Sequence, residues 1–249
     1  MTPAIIGFYF FSTGTIDALQ DPIYEVTQGA EAPGKGEGHA GAFGHWTYGL
    51  TESISVDLTG VSSLIAPDPA VRFRWFEKER WTIDATAGFS VPTYGLRLLQ
   101  GTVLPGDQEI PWAVVPGLGS VVGWHGDAWT ASLGMLGRVG VTFGAEEGDA
   151  RSFAAADLAW LDPMVAPITE GWSVAWLPSL EWHGSEKWQF QFQTRMQFSA
   201  GPDFNLRLLG WRHLGDHHSL SAGAVVANEA MTFGRATRWA PRVDWRYRF

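Results

Sequence analysis

The segment WQFQFQTRMQFS, residues 188–199, decides the fold. Aromatic residues or methionine occupy nearly every second position, and glutamine or arginine occupies the positions between them. Successive side chains of a β-strand point to opposite faces, so a strand here has one face of rings and one face of amides. A helix of period 3.6 would mix the two sets. The alternation therefore predicts a strand with one apolar and one polar face.

The same period of two recurs along most of the chain, separated by short polar stretches rich in Gly, Asp and Pro. Such stretches are typical of hairpin turns. About twelve strands are predicted, at residues 39–50, 53–64, 70–76, 80–91, 112–124, 128–141, 153–161, 171–183, 187–199, 203–214, 218–229 and 237–249. Segments 4–11 and 94–104 are candidates for two more, which would give about fourteen strands and keep the number even. No helix is predicted to interrupt the series.

Two stretches lack this pattern. We interpret residues 1–38, which run into a Gly-rich segment, as an N-terminal segment that forms a loop, plugs the interior or supplies a first strand. Residues 92–111 fit either a strand followed by a loop or a short interfacial helix. Residues 39–249 form the predicted sheet domain.

The composition excludes several classes of protein. The chain has 249 residues and a formal net charge of −9, which disfavours a nucleic-acid partner because phosphate binding needs clustered Lys and Arg. Cysteine is absent from the sequence, so no disulfide framework or thiolate metal site is predicted. No apolar run reaches the roughly 20 residues that a membrane helix needs.

The polar faces of the predicted strands are unusual. The lysines, Lys35, Lys78 and Lys187, all fall in turns or loops, whereas a polar face that meets bulk water is usually dotted with Lys and Glu. The apolar faces carry many rings at strand ends, where aromatic side chains suit the headgroup level of a membrane. The predicted membrane girdle consists of Trp81, Trp172, Trp182, Trp188 and Trp245. This distribution favours lipid outside and polar groups inside over a soluble β-sandwich.

A sheet that lies in a membrane must close on itself, because an open edge leaves backbone groups unpaired in hydrocarbon. The predicted strands have the length that a tilted span needs, about 9–11 residues. The sequence therefore predicts an all-β fold, a transmembrane antiparallel up-and-down β-barrel of about twelve strands.

The chain ends RVDWRYRF, residues 242–249, in which apolar or aromatic residues alternate with charged ones up to a final Phe. This ending resembles the C-terminal strand of bacterial outer-membrane β-barrels. The resemblance implies a multi-pass protein of the outer membrane that contacts its lipid and is inserted by the barrel-assembly machinery, with Tyr247 and Phe249 as the assembly signal. Other envelope proteins are further candidate partners. The N-terminus lacks the basic region of a secretory signal, so we interpret the sequence as a mature chain.

The polar faces predict the barrel interior. The predicted lumen-facing residues are Arg72, Arg74, Asp84, Glu181, Gln189, Gln191, Gln193, Arg195, Gln197, Arg207, Arg242, Asp244 and Arg246. They either line a lumen that tunes permeation or fill a closed interior by pairing with one another. The predicted loops are short, which favours a structural or scaffolding barrel of an envelope assembly. A porin-like passive diffusion channel for small polar solutes is the alternative.

The segment DHHSLS contains the one catalytic candidate. His217 and Ser219 are two apart and share a face of a strand, and a His beside a Ser can activate it as a nucleophile. The pair is similar to the His-x-Ser of outer-membrane phospholipase A, which implies a barrel-embedded lipid hydrolase. A second hypothesis is metal binding by Asp216, His217 and His218 with His213, but adjacent histidines on a strand point to opposite faces. The favoured interpretation is a polar hairpin turn in a non-enzyme with no metal and no cofactor.

Overall fold

The computed structural model describes residues 33–41, 46–58, 67–91, 93–99, 112–144, 171–185, 187–198, 203–231 and 234–249. The strands in these ranges are β1 (Gly38–Gly41), β2 (Trp46–Gly49), β3 (Ile54–Leu58), β4 (Ala70–Lys78), β5 (Trp81–Ser90), β6 (Trp112–His125), β7 (Trp129–Phe143), β8 (Gly171–Ser185), β9 (Trp188–Phe198), β10 (Asp203–His213), β11 (His218–Met231) and β12 (Gly234–Arg248). A short helix, α1 (Tyr94–Leu99), lies between β5 and β6. None of the described helical residues form a segment long and apolar enough to cross a membrane.

The twelve described strands form one closed antiparallel barrel. Each strand pairs with the next along the chain, and β1 pairs with β12. The pairing is longest between β11 and β12, where it runs from His218 opposite Tyr247 to Met231 opposite Gly234. The predicted all-β, antiparallel up-and-down barrel is confirmed.

The barrel closes at the seam between β1 and β12, which begins with His39 opposite Arg248 and is short. The last residue of the chain extends this seam. The N–H of Phe249 donates to the carbonyl of Gly38, and the N–H of Gly38 donates to the carbonyl of Phe249, both at 3.0 Å. The ring of Phe249 also covers Gly38, where a Cβ atom would lie 2.8 Å from the ring. Phe249 therefore completes the seam with its backbone and its side chain.

The strands differ from the prediction in two regions. The predicted strand 39–50 is divided into β1 and β2. The prediction missed this division because the Gly-rich sequence has no apolar alternation to mark where a strand ends. The predicted strand 153–161 and the candidate 4–11 lie outside the described residues, and β7 pairs directly with β8. Part of the candidate strand 94–104 forms α1, which fits the short-helix alternative for residues 92–111.

The two ends of the barrel carry connections of different length. One end, named here the short-turn end, holds the start of β1, Phe249 and the tight turns at 50–53, 79–80, 126–128, 186–187 and 214–217. The longer connections at the opposite end are 59–69, 91–111 and 144–170. Most residues of these three connections lie outside the described part of the chain, so the expectation of short loops stays a prediction at that end. In outer-membrane barrels the short turns face the periplasm. We therefore expect the short-turn end of this barrel to face the periplasm as well.

The polarity of the barrel is the reverse of that of a soluble protein. Outward apolar side chains such as Leu118 and Trp239 are 72% and 73% exposed, whereas the inward Arg195 and Asn205 are 0% exposed. Lipid can cover an apolar outer surface, and a closed ladder satisfies the backbone groups within it. The distribution is that of a transmembrane barrel with a polar interior.

Two inner walls differ in their chemistry. We define the arginine wall as four inward residues of β9, β10 and β12, namely Gln193, Arg195, Arg207 and Arg242. We define the apolar wall as four inward residues of β6, β7 and β8, namely Val115, Val121, Leu136 and Leu177; the buried Arg138 lies on the same inner face of β7. All eight side chains are buried. Leu136 and Leu177 also form an apolar cluster with Ala70 and Ala175.

Candidate functional site

The predicted lumen-facing residues lie on the inner face of the barrel. The buried members are Arg72, Asp84, Gln193, Arg195, Gln197, Arg207, Arg242 and Asp244. The half-buried members are Arg74, Glu181, Gln189, Gln191 and Arg246. Their position follows from the strand period, because each lies an even number of residues from another inward side chain of its strand. Their role in permeation stays a prediction.

The arginine wall is held by hydrogen bonds between neighbouring strands. Arg207 lies opposite Gln193 in the register of β9 and β10, and its guanidinium donates to the Gln193 side-chain oxygen through both Nε and Nη2. Arg195 lies opposite Asn205 in the same pair of strands, and both side chains are 0% exposed. An amide satisfies the N–H groups of an arginine but adds no negative charge.

A second group of charges lies on β4 and β5. Asp84 accepts a hydrogen bond from Arg74 Nε at 3.0 Å, and Arg72 Nε lies 3.7 Å from its other oxygen. Arg74 also donates to the exposed Glu77 at 3.0 Å. One buried carboxylate is therefore shared by two guanidinium groups.

Arginine outnumbers carboxylate on the described inner faces. Among the described side chains, the inward arginines are Arg72, Arg74, Arg138, Arg195, Arg207, Arg242 and Arg246, with Arg248 at the rim. The carboxylates of the same faces are Asp57, Asp84, Glu181 and Asp244, with Glu77 at the rim opposite Thr82. The described inner faces thus carry excess positive charge, although the whole chain has a formal net charge of −9.

A cavity of about 570 Å³ opens at the short-turn end and is named here the mouth cavity. Its lining residues are Glu181, His183, Ser185, Gln189, His213, Gly215, Asp216, Ser219 and Arg248. Next to it, the guanidinium carbon of Arg246 lies 4.2 Å from the ring centroid of the buried Trp211. Charged and hydrogen-bonding side chains thus dominate the mouth cavity.

Three histidines near the short-turn end contact hydroxyl groups on neighbouring strands. His125 Nε2 lies 3.1 Å from Thr82 Oγ1, and His183 Nε2 lies 3.1 Å from Thr130 Oγ1. His213 Nδ1 lies 2.8 Å from Ser219 Oγ. The repetition on β6, β8 and β10 marks a shared structural arrangement at the inner rim.

This arrangement corrects the catalytic candidate. Ser219 contacts His213, which lies opposite it across β10 and β11, and not His217. His217 is in the preceding turn, where its Nδ1 lies 3.0 Å from the carbonyl oxygen of Arg248. The predicted pair does not form, because His217 lies in the turn and Ser219 lies in β11. Residues two apart share a face only when both belong to the same strand.

The metal hypothesis gains no support from the described part of the chain. No group of three or more His, Cys, Asp or Glu residues that could hold a metal ion occurs in it. His218 packs on Trp245, with ring centroids 5.4 Å apart, and so lies with the aromatic residues of the outer face.

The predicted girdle residues lie on the outer surface, and several form part of a continuous aromatic band at the short-turn end. Trp129 and Trp182 lie 6.2 Å apart, and Trp182 and Phe190 lie 5.6 Å apart. The exposed fractions of the predicted members Trp81, Trp172, Trp182, Trp188 and Trp245 range from 37% to 66%. Interfacial rings of this kind anchor a barrel at the headgroup level.

Tyr247 and Phe249 continue this band across the seam. Their rings lie 6.2 Å apart, and the ring of Phe249 stacks on Tyr48 at 6.3 Å. Both side chains are exposed to the lipid side. Their use as an assembly signal stays a prediction.

The comparisons with known proteins give structural likenesses alone. No protein-family model matches the chain, and no curated protein matches it. It is similar to an anion-selective porin from Comamonas acidovorans, with 7% identity, a TM-score of 0.44, and coverage of 82% of this chain and 58% of that one. It is similar to the KdgM porin at 6% identity and a TM-score of 0.40, with coverage of 85% and 94%. It is also similar to OmpT of Vibrio cholerae at 5% identity and a TM-score of 0.37, with coverage of 82% and 63%.

The fold is that of an outer-membrane β-barrel. The chain spans less than two thirds of the length of the Comamonas and Vibrio proteins.

Strand parity predicts the inward side chains of this barrel but not the contacts of its histidines. His183 and His213 stand near strand ends, where sequence alone shows only polar residues beside a turn. Their hydroxyl partners, Thr130 and Ser219, belong to neighbouring strands whose register the turns set. One feature of the sequence could have indicated them: each histidine lies an even number of residues from other polar-face residues of its strand.

Proposed function

We propose that this outer-membrane β-barrel is a narrow passive channel for small anionic solutes. The observation that carries the proposal is the excess of arginine over carboxylate on the described inner faces. The hydrogen bond of Arg207 with Gln193 adds no negative charge to the inner face, because an amide is neutral. Burying positive charge in a packed interior costs free energy, whereas in an anion pathway the same charge attracts the permeating ion.

The arginine wall also supplies the constriction of the proposed channel. Arg207 and Gln193 lie near the middle of their strands and are 2% and 1% exposed, so the pathway is narrow at this height. Arginine and glutamine side chains are long and change rotamer quickly once they are partly hydrated. A constriction of this kind passes small hydrated ions and excludes larger solutes.

The proposal is tested by chloride flux into vesicles that contain a chloride-quenched dye. We expect flux through the intact chain, and a drop of about fivefold in the Arg195→Gln/Arg207→Gln variant, since two positive charges leave the pathway. Arg212→Gln is the matched control, because Arg212 lies on β10 but faces outward over the Trp188 ring. Equal chloride flux through all three proteins contradicts the proposal.

A second candidate function is a scaffolding barrel in an envelope assembly. It is favoured by the complete burial of inner side chains such as Arg195, Leu136 and Leu177, which describes a filled interior. The exposed aromatic band can cover a partner protein as well as lipid.

A variant that lacks residues 1–32 distinguishes the two functions, because it keeps every described strand. Silence of both the intact and the shortened chain favours the scaffold. Flux through the shortened chain alone favours a channel that its N-terminal segment plugs.

A further inference from the structure

Arg212 is a cation on the lipid-facing surface of the barrel. It is exposed and lies one residue before the short-turn end of β10, opposite Trp188 of β9 and Leu220 of β11. Its guanidinium carbon lies 5.6 Å from the centroid of the Trp188 ring. Trp188 and Leu220 are exposed as well. A positive charge therefore stands among a ring and an aliphatic side chain that lipid covers.

The charge of Arg212 has no counter-ion within the described part of the chain. Its guanidinium contacts the face of the Trp188 ring, and no described carboxylate pairs with it. Asp216 of the adjoining turn lines the mouth cavity instead. By contrast, Arg80 at the same end of the barrel pairs with Asp127 at 2.9 Å. Because a charged side chain in contact with lipid is costly unless it is paired, the negative charge for Arg212 must come from its surroundings.

The height of Arg212 on the barrel determines what these surroundings are. Trp188 belongs to the aromatic band, and its ring stacks on that of Phe190 at 6.4 Å. Bands of this kind lie at the level of the lipid headgroups. On the turn side, the exposed Lys187 accepts the N–H of His213 at its carbonyl oxygen at 2.9 Å, which places Lys187 beside the end of β10. Two cationic residues thus adjoin each other at headgroup level.

We propose that Arg212, with Trp188 and Lys187, forms a binding site for the phosphate group of an anionic phospholipid such as phosphatidylglycerol. A planar guanidinium matches two phosphate oxygens with parallel N–H groups. The ring of Trp188 lies against this guanidinium and restricts its orientation before the lipid binds. The site lies on the outer surface, so it does not rest on the proposed anion pathway.

The surface next to the site favours a lipid over free phosphate. Farther from the turn, the outer face of β9 and β10 carries the exposed Phe190 and Leu208. Acyl chains of a lipid whose phosphate lies at Arg212 can cover these side chains, and burial of apolar area adds to the affinity. Inorganic phosphate has only the charged contact.

The experiment measures lipid retention by native mass spectrometry. The intact chain in detergent is mixed with equal amounts of phosphatidylglycerol and zwitterionic phosphatidylcholine that carry the same acyl chains. We expect a preference of about fivefold for phosphatidylglycerol as the first bound lipid, because a cation at a membrane surface attracts an anionic headgroup. Arg212→Gln should reduce this preference about threefold.

Arg80→Gln is the matched control, because it removes the same charge from the same end of the barrel at a residue that has a carboxylate partner. Its lipid preference should equal that of the intact chain. Equal retention of the two lipids by the intact chain overturns the inference, and so does the same preference in Arg212→Gln and Arg80→Gln.

Two further measurements keep the inference testable if Arg212→Gln does not fold. Arg212→Lys keeps the charge but loses the planar fork, so its preference should be weaker than that of the intact chain. An unchanged preference in Arg212→Lys contradicts a guanidinium site. An excess of sodium phosphate should leave the retained phosphatidylglycerol in place. Its displacement would identify free phosphate as the ligand and overturn the lipid site.

Discussion

The arginine wall and the apolar wall occupy the same barrel and obey the same inward alternation, yet they carry opposite chemistry. Arg195 and Leu177 are both 0% exposed, one among amides and guanidinium groups and the other in an aliphatic cluster. Leu177 needs only close packing, because burial of apolar area stabilises it. Arg195 brings a desolvation cost that packing alone does not offset. The difference shows that strand period decides which side chains point inward, while the residue types decide what the interior does.

The largest effect should come from thinning the apolar wall. The Leu136→Ala/Leu177→Ala variant should lose about 2–3 kcal/mol of unfolding free energy per substitution, because each leaves a cavity among buried side chains. Denaturant unfolding in lipid vesicles measures the loss. Leu133→Ala is the control, because Leu133 lies outward on β7 and is 48% exposed. Equal losses at inward and outward positions would show that the apolar wall is not packed.

Removing the shared carboxylate of β5 should have the next largest effect. Asp84→Asn leaves Arg72 and Arg74 without their common negative charge, so we expect a loss of about 2 kcal/mol of unfolding free energy and a stronger preference for anions. Asp127→Asn is the control, because Asp127 forms an exposed ion pair with Arg80 in a turn. Unchanged stability and unchanged ion preference in Asp84→Asn would contradict this account of the paired charges.

Reversing the charge of the arginine wall should change ion preference more than stability. The Arg195→Glu/Arg207→Glu variant should lower the chloride-to-potassium permeability ratio about tenfold, because the narrow part of the proposed pathway would become negative. The reversal potential in a salt gradient measures the ratio. Arg212→Glu changes the same charge on the outward face of β10 and should leave the ratio nearly unchanged. An equal effect of the outward substitution and the inward pair would show that the charge of the arginine wall does not set the ion preference.

The smallest effect should follow from placing an apolar residue in the arginine wall. Gln193→Leu removes one hydrogen-bond acceptor of Arg207 but keeps every charge, so the permeability ratio should change by less than about twofold. The conductance should change more than the ratio, since Arg207 loses its fixed position. Single-channel recording measures both quantities. A large change in ratio would mean that hydrogen bonding and not charge sets the preference.

The barrel itself could be predicted from the sequence because alternation is a local signal. The segment 188–199 shows both faces of β9 without any knowledge of its neighbours, and the scarcity of lysine on the strands indicates which face meets lipid, although Lys78, predicted to lie in a turn, is the last residue of β4. The same signal fails at 39–50, where glycine and alanine conceal the boundary between β1 and β2. Alternation needs large side chains of contrasting polarity.

The mouth cavity could not be predicted, because its contacts depend on register. Ser219 stands two positions from His217 in the sequence but contacts His213 across the hairpin. The turn between β10 and β11, not the spacing along the chain, brings these two side chains together. The predicted lumen-facing residues already include more arginines than carboxylates. Which arginines lie beside a carboxylate became clear only from the placement of the strands.

The central claim, that the arginine wall lines a pathway for anions, is tested most directly by the reversal potential of the intact chain. The protein is inserted into a planar bilayer that separates two KCl solutions of different concentration at pH 7.5. If the arginine wall lines such a pathway, the intact chain gives discrete conductance steps and a reversal potential of the sign that chloride preference produces. A reversal potential of the opposite sign, or silence of both the intact chain and the variant without residues 1–32, would contradict it.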